Sequence, residues 1–426
     1  MTENHKCFAL FGSRRFLPLF ITQFSGAFND NFLKGVIVAL VTFVAASTPG
    51  RAGMLTNLAM ALFMLPYFLF SSMAGQWADH TDKSRCCRIV KIVEVVLMVL
   101  TAFTLYFQVI SALMILLFFM GTQSTFFGPV KYALLPQHLR DEELLGGNAL
   151  IEGGTFLSIL SGTIAGSIIV VLPGGMTWAG IILVVFAVTG YLASCLIPPA
   201  PPDPAAGAFV KNPLTDTVNL IRESLAMPVA GPCILALSVF WMAGALYASL
   251  LPVLCLGILC GNELVNTFLL ALFSIGVAAG AVASGWILRG KVSGRLSFWS
   301  MTGMAAGSFL LAWECRSLAP ETAELLGLKK LCCEPFFWRI TLEMLAVSFF
   351  GGMFSVPLQA LMQHAAPASK VARVIAANNV VNAVYMAGAT VLAALASFLW
   401  EPPPGAVIGI LGMILLFNAW YCRKFR

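Results

Sequence analysis

Charge is scarce in this sequence. Asp, Glu, Lys and Arg make up 10% of the 426 residues, 59% are hydrophobic, and the mean hydropathy is +0.89. Soluble domains carry about 25% charged residues, so this composition excludes an ordinary water-facing surface and fits a polytopic membrane protein. Histidine is rarer still, with only His5, His80, His138 and His364. No Cys/His cluster has metal-ligand spacing, and neither a metal nor another cofactor is expected. None of the four histidines is followed five residues later by aspartate, the spacing a phospholipid acyltransferase needs; His138 has Glu143 there. A GxxxxGK[ST] loop for ATP is missing as well, so the chain does not read as an enzyme. Eleven cysteines give no disulfide framework: Cys195, Cys233 and Cys255 lie inside apolar runs, and the adjacent pairs Cys86-Cys87 and Cys332-Cys333 are poorly placed to bridge. Basic residues sit at the edges of apolar runs, which sets nucleic acid aside. No cleavable leader is expected, because polar, basic residues 1–15 lead straight into a full-length apolar run.

Long apolar runs are what the sequence does have. Twelve can be bounded, at 16–46, 54–74, 89–109, 110–135, 145–172, 176–197, 231–259, 263–288, 296–314, 335–363, 371–399 and 404–422. Each reaches about the ~20 residues a spanning helix requires. Placing every Lys and Arg by loop then orients the chain. One side collects Lys6, Arg14, Arg15, Lys83, Arg85, Arg88, Lys91, Arg140, Lys211, Arg222, Arg289, Lys291, Arg295, Lys370, Arg373, Arg423, Lys424 and Arg426. The other holds Arg51, Arg316, Lys329 and Lys330, while Lys34, Lys131 and Arg339 fall within spans. The positive-inside rule puts both termini in the cytoplasm. The expected fold is all-α, with twelve transmembrane helices.

Residues 198–230 form the longest cytoplasmic connection, opening on a proline-rich stretch that cannot be helical. Leu214, Val218, Ile221 and Leu225 then share one helical face with Asp216, Arg222 and Glu223 off it, which predicts a short helix lying at the membrane surface. This linker divides the chain into six-helix bundles at 1–197 and 231–426. The two bundles resemble each other. Phe127-Gly-Pro129-Val-Lys131-Tyr-Ala-Leu matches Ser355-Val-Pro357-Leu-Gln359-Ala-Leu-Met, and Gly146-Gly-Asn148-Ala-Leu-Ile-Glu152 matches Ala376-Ala-Asn378-Asn-Val-Val-Asn382. Offsets of 228 and 230 point to a duplicated unit with both copies in one direction. Lys131 corresponds to Gln359 and Glu152 to Asn382, so the first half carries ions where the second carries amides. Gly162-x3-Gly166, Gly276-x3-Gly280 and Gly303-x3-Gly307 permit close helix contacts.

The polar residues inside spans are the candidate site. The first span contains Gln23, Asn29, Asp30, Asn31 and Lys34, with Lys34 one helical turn from Asp30. A charge at mid-bilayer costs about 2.5–3.5 kcal/mol on insertion scales, so it persists where it faces a cavity, a partner or a ligand. Two readings follow: an Asp30–Lys34 pair that only closes helix contacts, or a site on a transport pathway. Gly128-Pro129 predicts a kink in the fourth helix just before Lys131 and Tyr132. Lys131 either meets an anion, with Glu152 as its resting partner, or snorkels to the surface. Arg339 and Glu343 stand as an i,i+4 pair in the tenth span, and Glu94 reads as a charge near a helix end. Between the second and third spans, Gly75-Gln-Trp-Ala-Asp79-His-Thr-Asp82-Lys83-Ser-Arg85 resembles the signature loop of the major facilitator superfamily. The resemblance implies that Gly75, Asp79 and Arg85 act in a gating loop that holds the cytoplasmic side shut.

One further resemblance is more specific. Arg14-Arg-Phe-Leu-Pro-Leu-Phe-Ile-Thr-Gln23-Phe-Ser-Gly-Ala-Phe-Asn29-Asp30-Asn31-Phe-Leu-Lys34, with Gly128-Pro-Val-Lys131-Tyr132-Ala-Leu-Leu-Pro and Asn148-Ala-Leu-Ile-Glu152-Gly, is similar to the bacterial lysophospholipid transporter family of that superfamily. It resembles in particular members fused to acyltransferase and acyl-carrier-protein synthetase domains. What this implies is two six-helix bundles related by a pseudo-twofold axis in the bacterial inner membrane, working as a monomer. It implies movement of lysophosphatidylethanolamine and lysophosphatidylglycerol to the inner leaflet for reacylation. With the sequence ending at Arg426, the acyltransferase is expected as a separate partner. Substrate or coupling residues would be Gln23, Asn29, Asp30, Asn31, Lys34, Lys131, Tyr132, Asn148, Glu152, Gln359, Asn378 and Asn382. The rival readings are an exporter of amphipathic drugs or another small solute, using Asp30 or Glu152 as a proton-coupling carboxylate, and an inactive anchor for lipid enzymes.

Overall fold

The computed structural model describes residues 9–41, 49–170, 172–203, 213–289, 291–317, 326–400 and 402–425. Lys6, Lys211 and Arg426 of the charge census lie outside them, as does the end of the proline-rich stretch. Each of the twelve apolar runs forms one long helix: α1 (Leu17–Leu40), α2 (Pro49–His80), α3 (Lys83–Tyr106), α4 (Ile110–His138), α5 (Asp141–Ile169), α6 (Gly175–Cys195), α7 (Ala230–Gly257), α8 (Glu263–Leu288), α9 (Arg295–Ser317), α10 (Pro335–Ala365), α11 (Val371–Trp400) and α12 (Pro404–Tyr421). Ten of them are long and apolar enough to cross a membrane. Among the described residues the exceptions are α1 and α9: α1 carries Gln23, Asn29, Asp30, Asn31 and Lys34, and α9 opens on Arg295 and closes on Glu314 and Arg316.

The helix ends follow local chemistry. Proline, which needs no amide donor, sits in the first turn of α1, α10 and α12. Asp82 caps α3 and Asn262 caps α8, each accepting from the backbone of the first turn. The gap between α2 and α3 is therefore only Thr81-Asp82, and most of the signature stretch is helical. α4 runs on through Pro129 and Pro136 to His138 rather than ending at either.

Among the first six helices α1 packs on α5, α2 on α4 and α3 on α6; among the last six α7 packs on α11, α8 on α10 and α9 on α12. Raising each number in the first set by six gives the second, so the two bundles share one internal arrangement. The glycine pairs sit at these crossings, Gly162 and Gly166 against the backbone of α1, and Gly276, Gly280, Gly303 and Gly307 against α10. The bundles meet through α2 with α11, α5 with α8 and α10, and α4 with α11. Both ends of the described chain lie at one face of the molecule, called here the terminal face. Arg15 near the start of α1 bonds Glu143 at the start of α5, and Phe425 reaches Gly294 at the start of α9.

The linker helix, Pro213–Ala226, docks on α2, α7 and α11. Its buried face is Asp216, Leu220 and Ser224, while Val218 is 65% exposed. Of the apolar stripe expected to lead this helix, Ile221 and Leu225 are half-buried against the bundle while Val218 faces away. Asp216 chooses the face, because it finds a cation and two further donors in the bundle.

Candidate functional site

Successive positions on α1 point to different neighbours. Gln23 faces α5, donating to the Ile151 carbonyl at 3.2 Å and accepting from Thr155 Oγ1 at 3.0 Å. Asn29 faces the interior of the first bundle and donates to Glu94 Oε1 and to the Leu183 carbonyl, both at 3.1 Å. Asn31 folds its amide back on the Ala27 carbonyl at 2.7 Å. Asp30 turns toward α4, where Ser124 Oγ donates to its Oδ2 at 2.6 Å; Oδ1 is buried and has no partner. Lys34 does not pair with Asp30. Its ammonium lies over the Phe63 ring, 4.4 Å from the centroid. Ser124 gives Asp30 a short charge-assisted bond, and the ring face of Phe63 takes the cation instead.

Behind Asp30 lies a charged core that the sequence placed at a helix end. Lys91 and Glu94 are fully buried in α3 and paired at 2.5 Å. Glu94 also accepts from Gln123 Nε2 at 2.9 Å and from Asn29, and Lys91 Nζ rests 4.6 Å from the Phe127 ring centroid. Neither residue is a surface charge. A Lys and a Glu three apart within an apolar run is the spacing of a helical ion pair, and a carboxylate inside a span points to an interior partner. That was the signal available in the sequence.

The third part of the site lies where α4, packed beside α5, faces α11. Tyr132 donates to Glu152 Oε2 at 3.1 Å, and Lys131 Nζ lies 4.8 Å from the Tyr132 ring centroid, so the tyrosine touches both lysine and carboxylate. Lys131 forms no ion pair with Glu152, is half-buried, and is within electrostatic range of Glu152 and Asp30. Across the interface, a Cβ at Gly128 would lie 3.2 Å from Asn379 Nδ2. Asn378 Oδ1 is buried without a partner, Asn382 Oδ1 accepts from Ser238 at 2.7 Å, and Gln359 is buried on α10. The spans of the first bundle thus bury or half-bury three lysines (34, 91, 131) and three carboxylates (30, 94, 152), of which only Lys91 and Glu94 form an ion pair among the described residues. In the second bundle, Arg339 pairs with Glu314 of α9 at 3.4 Å, not with Glu343 one turn on.

The terminal face is closed between the bundles. Gly75 lets α2 approach α11, where a Cβ would lie 2.8 Å from that of Ala376. Asp79 accepts from the backbone N–H groups of Ala372 and Arg373 at 3.1 and 3.0 Å, capping α11 from α2. Arg373 makes a bidentate pair with Asp216 of the linker helix at 3.0 and 3.3 Å, and Asp216 also accepts from Ser72 and Gln76 of α2. Asn148 of α5 and Gln363 of α10 exchange two amide bonds at 2.8 and 3.0 Å, so Asn148 sits in the closure. The Arg85 side chain is exposed, and its backbone N–H donates to Asp82. Partial burial alone would raise the Asp82 carboxyl, but bonds from Ser84, Arg85 and Ala200 hold it below its ordinary value. Sequence reasoning missed Gln123, Ser124, Gln363 and the clasp from Asp216 to Arg373.

On the outer side of α4, an almost wholly apolar groove of about 410 Å³ runs between α2, α3 and α4. Trp77, Val93, Leu97, Phe119 and Phe126 line it together with Gln123, the residue that bonds Glu94.

Comparison with known proteins places this geometry. The model of the Major Facilitator Superfamily matches residues 19–390. The chain is 27% identical over 360 residues to the lysophospholipid transporter LplT of Klebsiella pneumoniae, covering 82% of this chain and 80% of that protein. It is 26% identical over 374 residues to LplT of Salmonella enteritidis, covering 85% and 83%. Among solved structures it resembles the human organic anion transporter MFSD10, with a TM-score of 0.76 at 13% identity, covering 96% of this chain and 99% of that one. It also resembles the outward conformation of FucP, with a TM-score of 0.71 at 11% identity and coverage of 96% and 98%. The chain is a membrane protein that belongs to the Major Facilitator Superfamily, and bacterial lysophospholipid transporters are among its relatives.

Proposed function

We propose that this protein carries lysophospholipids across the bacterial inner membrane, toward the cytoplasmic leaflet, by alternating access between the two bundles. The observation that carries the reading is Asp30, whose buried Oδ1 lacks a partner while Lys34, Lys131 and Glu152 stand nearby without ion pairs. A site with unpaired charges of both signs suits a zwitterionic or anionic head. Asp30 takes an ethanolamine ammonium, and Lys34 or Lys131 takes the phosphate. The relatives named for lysophospholipid transport support this substrate class. The single acyl chain needs an apolar wall, and the groove floored by Gln123 supplies one beside the same hydrogen-bonded line. With the terminal face in the cytoplasm, as the positive-inside rule has it, the conformation closed by Asp79, Asp216 and the Asn148–Gln363 pair receives substrate from outside. The bundles then rock about the site, and a separate acyltransferase consumes the delivered lipid.

The test uses cells that lack their own lysolipid importer but keep the acyltransferase. Labelled lysophosphatidylethanolamine supplied outside is expected to become diacyl lipid only when this protein is present. Asp30→Asn and Lys131→Ala should each lower the conversion at least about tenfold, the effect of losing one charged hydrogen bond. No conversion with correctly inserted wild-type protein would overturn the substrate, and conversion untouched by either substitution would overturn the site.

A further inference from the structure

The hydroxyl of Ser124 has one proton and two acceptors within reach, Asp30 Oδ2 at 2.6 Å and Gln123 Oε1 at 3.2 Å. Gln123 cannot turn its amide around freely, because its Nε2 donates to Glu94 Oε2 at 2.9 Å. Glu94 in turn is fixed by Lys91 at 2.5 Å and by Asn29. All of these residues except Ser124 and Asp30 are at most 5% exposed. A line of side chains therefore runs from a buried ion pair on α3, through Gln123 of α4, to Ser124, whose single proton goes either to Gln123 Oε1 or to one oxygen of the carboxylate on α1. Its effect is to tie Oδ2 and leave Oδ1 as the free oxygen.

We infer that Ser124, set between Asp30 and the Gln123 oxygen held by the Glu94–Lys91 pair, is a positioning residue that makes Asp30 select ligands bearing an ammonium group. The inference rests on the lysophospholipid reading above and adds the origin of its headgroup preference. In the empty site Ser124 donates to Asp30 and sets the carboxylate plane. When an ammonium arrives at Oδ1, its three donors can also serve Oδ2, and the Ser124 proton turns to Gln123 Oε1. In the empty site Oδ1 and Gln123 Oε1 both lack a donor; the ammonium supplies the first directly and the second through the released Ser124 proton. A glycerol head brings hydroxyl donors but no charge to compensate Asp30, so it gains nothing from that exchange.

The experiment measures binding of lysophosphatidylethanolamine and lysophosphatidylglycerol to purified protein in nanodiscs, for wild type, Ser124→Ala and Ser124→Thr, with the unfolding temperature of each. Ser124→Ala is expected to weaken ethanolamine-lipid binding roughly tenfold while leaving glycerol-lipid binding within about twofold. Ser124→Thr, which keeps the hydroxyl, should restore the wild-type ratio. A merely structural role for Ser124 would weaken both lipids alike. Equal weakening, or no change in the ratio, overturns the inference while leaving the substrate reading intact. A wild-type protein that binds neither lipid overturns the substrate reading and this inference with it.

Discussion

A carboxylate enclosed by helices must find its hydrogen bonds and its counter-charge there. Glu94 has both, from Lys91, Asn29 and Gln123. Removing one member of such a pair leaves a buried charge uncompensated, at a cost of about 3–5 kcal/mol. Glu94→Ala should therefore lower unfolding free energy by that order in a denaturant titration in detergent, and the double change Lys91→Met with Glu94→Leu should recover much of it. A double variant as unstable as the single one would mean that the amide bonds, not the pair, hold this core. At this scale the sequence was informative about which residues matter and poor about whom they touch. Asp30 stood out because an acid in a span is conspicuous. Its partner Ser124 is 94 positions away, and a serine in an apolar helix carries no signal until packing brings it opposite a carboxylate. The Asp30–Lys34 pair failed for the same reason, since helical spacing brings two side chains to one face but does not stop Phe63 and Ser124 from taking them.

Helices were more legible than contacts, because bilayer thickness sets a length that any apolar run either meets or does not. The errors fell where burial follows charge rather than apolarity. α2 continues past the end of its apolar run to His80, and α3 begins well before its own run at Lys83, both drawn out by the terminal-face contacts. The linker helix presents Asp216 inward and Val218 outward because Arg373 draws the docking face round toward the acid, leaving Ile221 and Leu225 half-buried at its edge. The turn at Thr81-Asp82 gives a test. Asp82 caps α3 and also accepts from the Ala200 backbone at 3.0 Å, joining α3 to the start of the linker. Asp82→Ala should cost about 1 kcal/mol, the usual cost of a lost N-cap. Since the folded carboxyl is held below its unfolded value, its contribution is present above the unfolded pKa and is lost as pH falls through the folded one. The wild-type and variant stability curves should therefore converge in acid, and curves that stay parallel through the carboxylate range would remove Asp82 from that account.

For the whole molecule, three closures act at one face: Asp79 on the end of α11, Asp216 across α2 and α11, and the Asn148–Gln363 amides between α5 and α10. A transporter that alternates must break all three together. The clasp through the linker helix is the most separable, because it lies outside the twelve spans. Asp216→Asn removes the charge from a bidentate pair and should raise the population of the form opened at the terminal face. Spin labels at Arg85 and Lys370, both exposed, would report it as a longer distance, and an unchanged distribution would relieve Asp216 of any role in holding the face shut. The duplication also has an uneven outcome: the first bundle keeps the ions and the second supplies amides, so the two copies meet a headgroup with different chemistry. One last feature bears on how the protein is made. The groups that satisfy the polar side chains of α1 are spread over α3, α4, α5 and α6, the farthest of them 168 residues downstream at Gly190. At about 5–20 residues per second of synthesis, those side chains wait some 8–34 s before the last of their partners arrives.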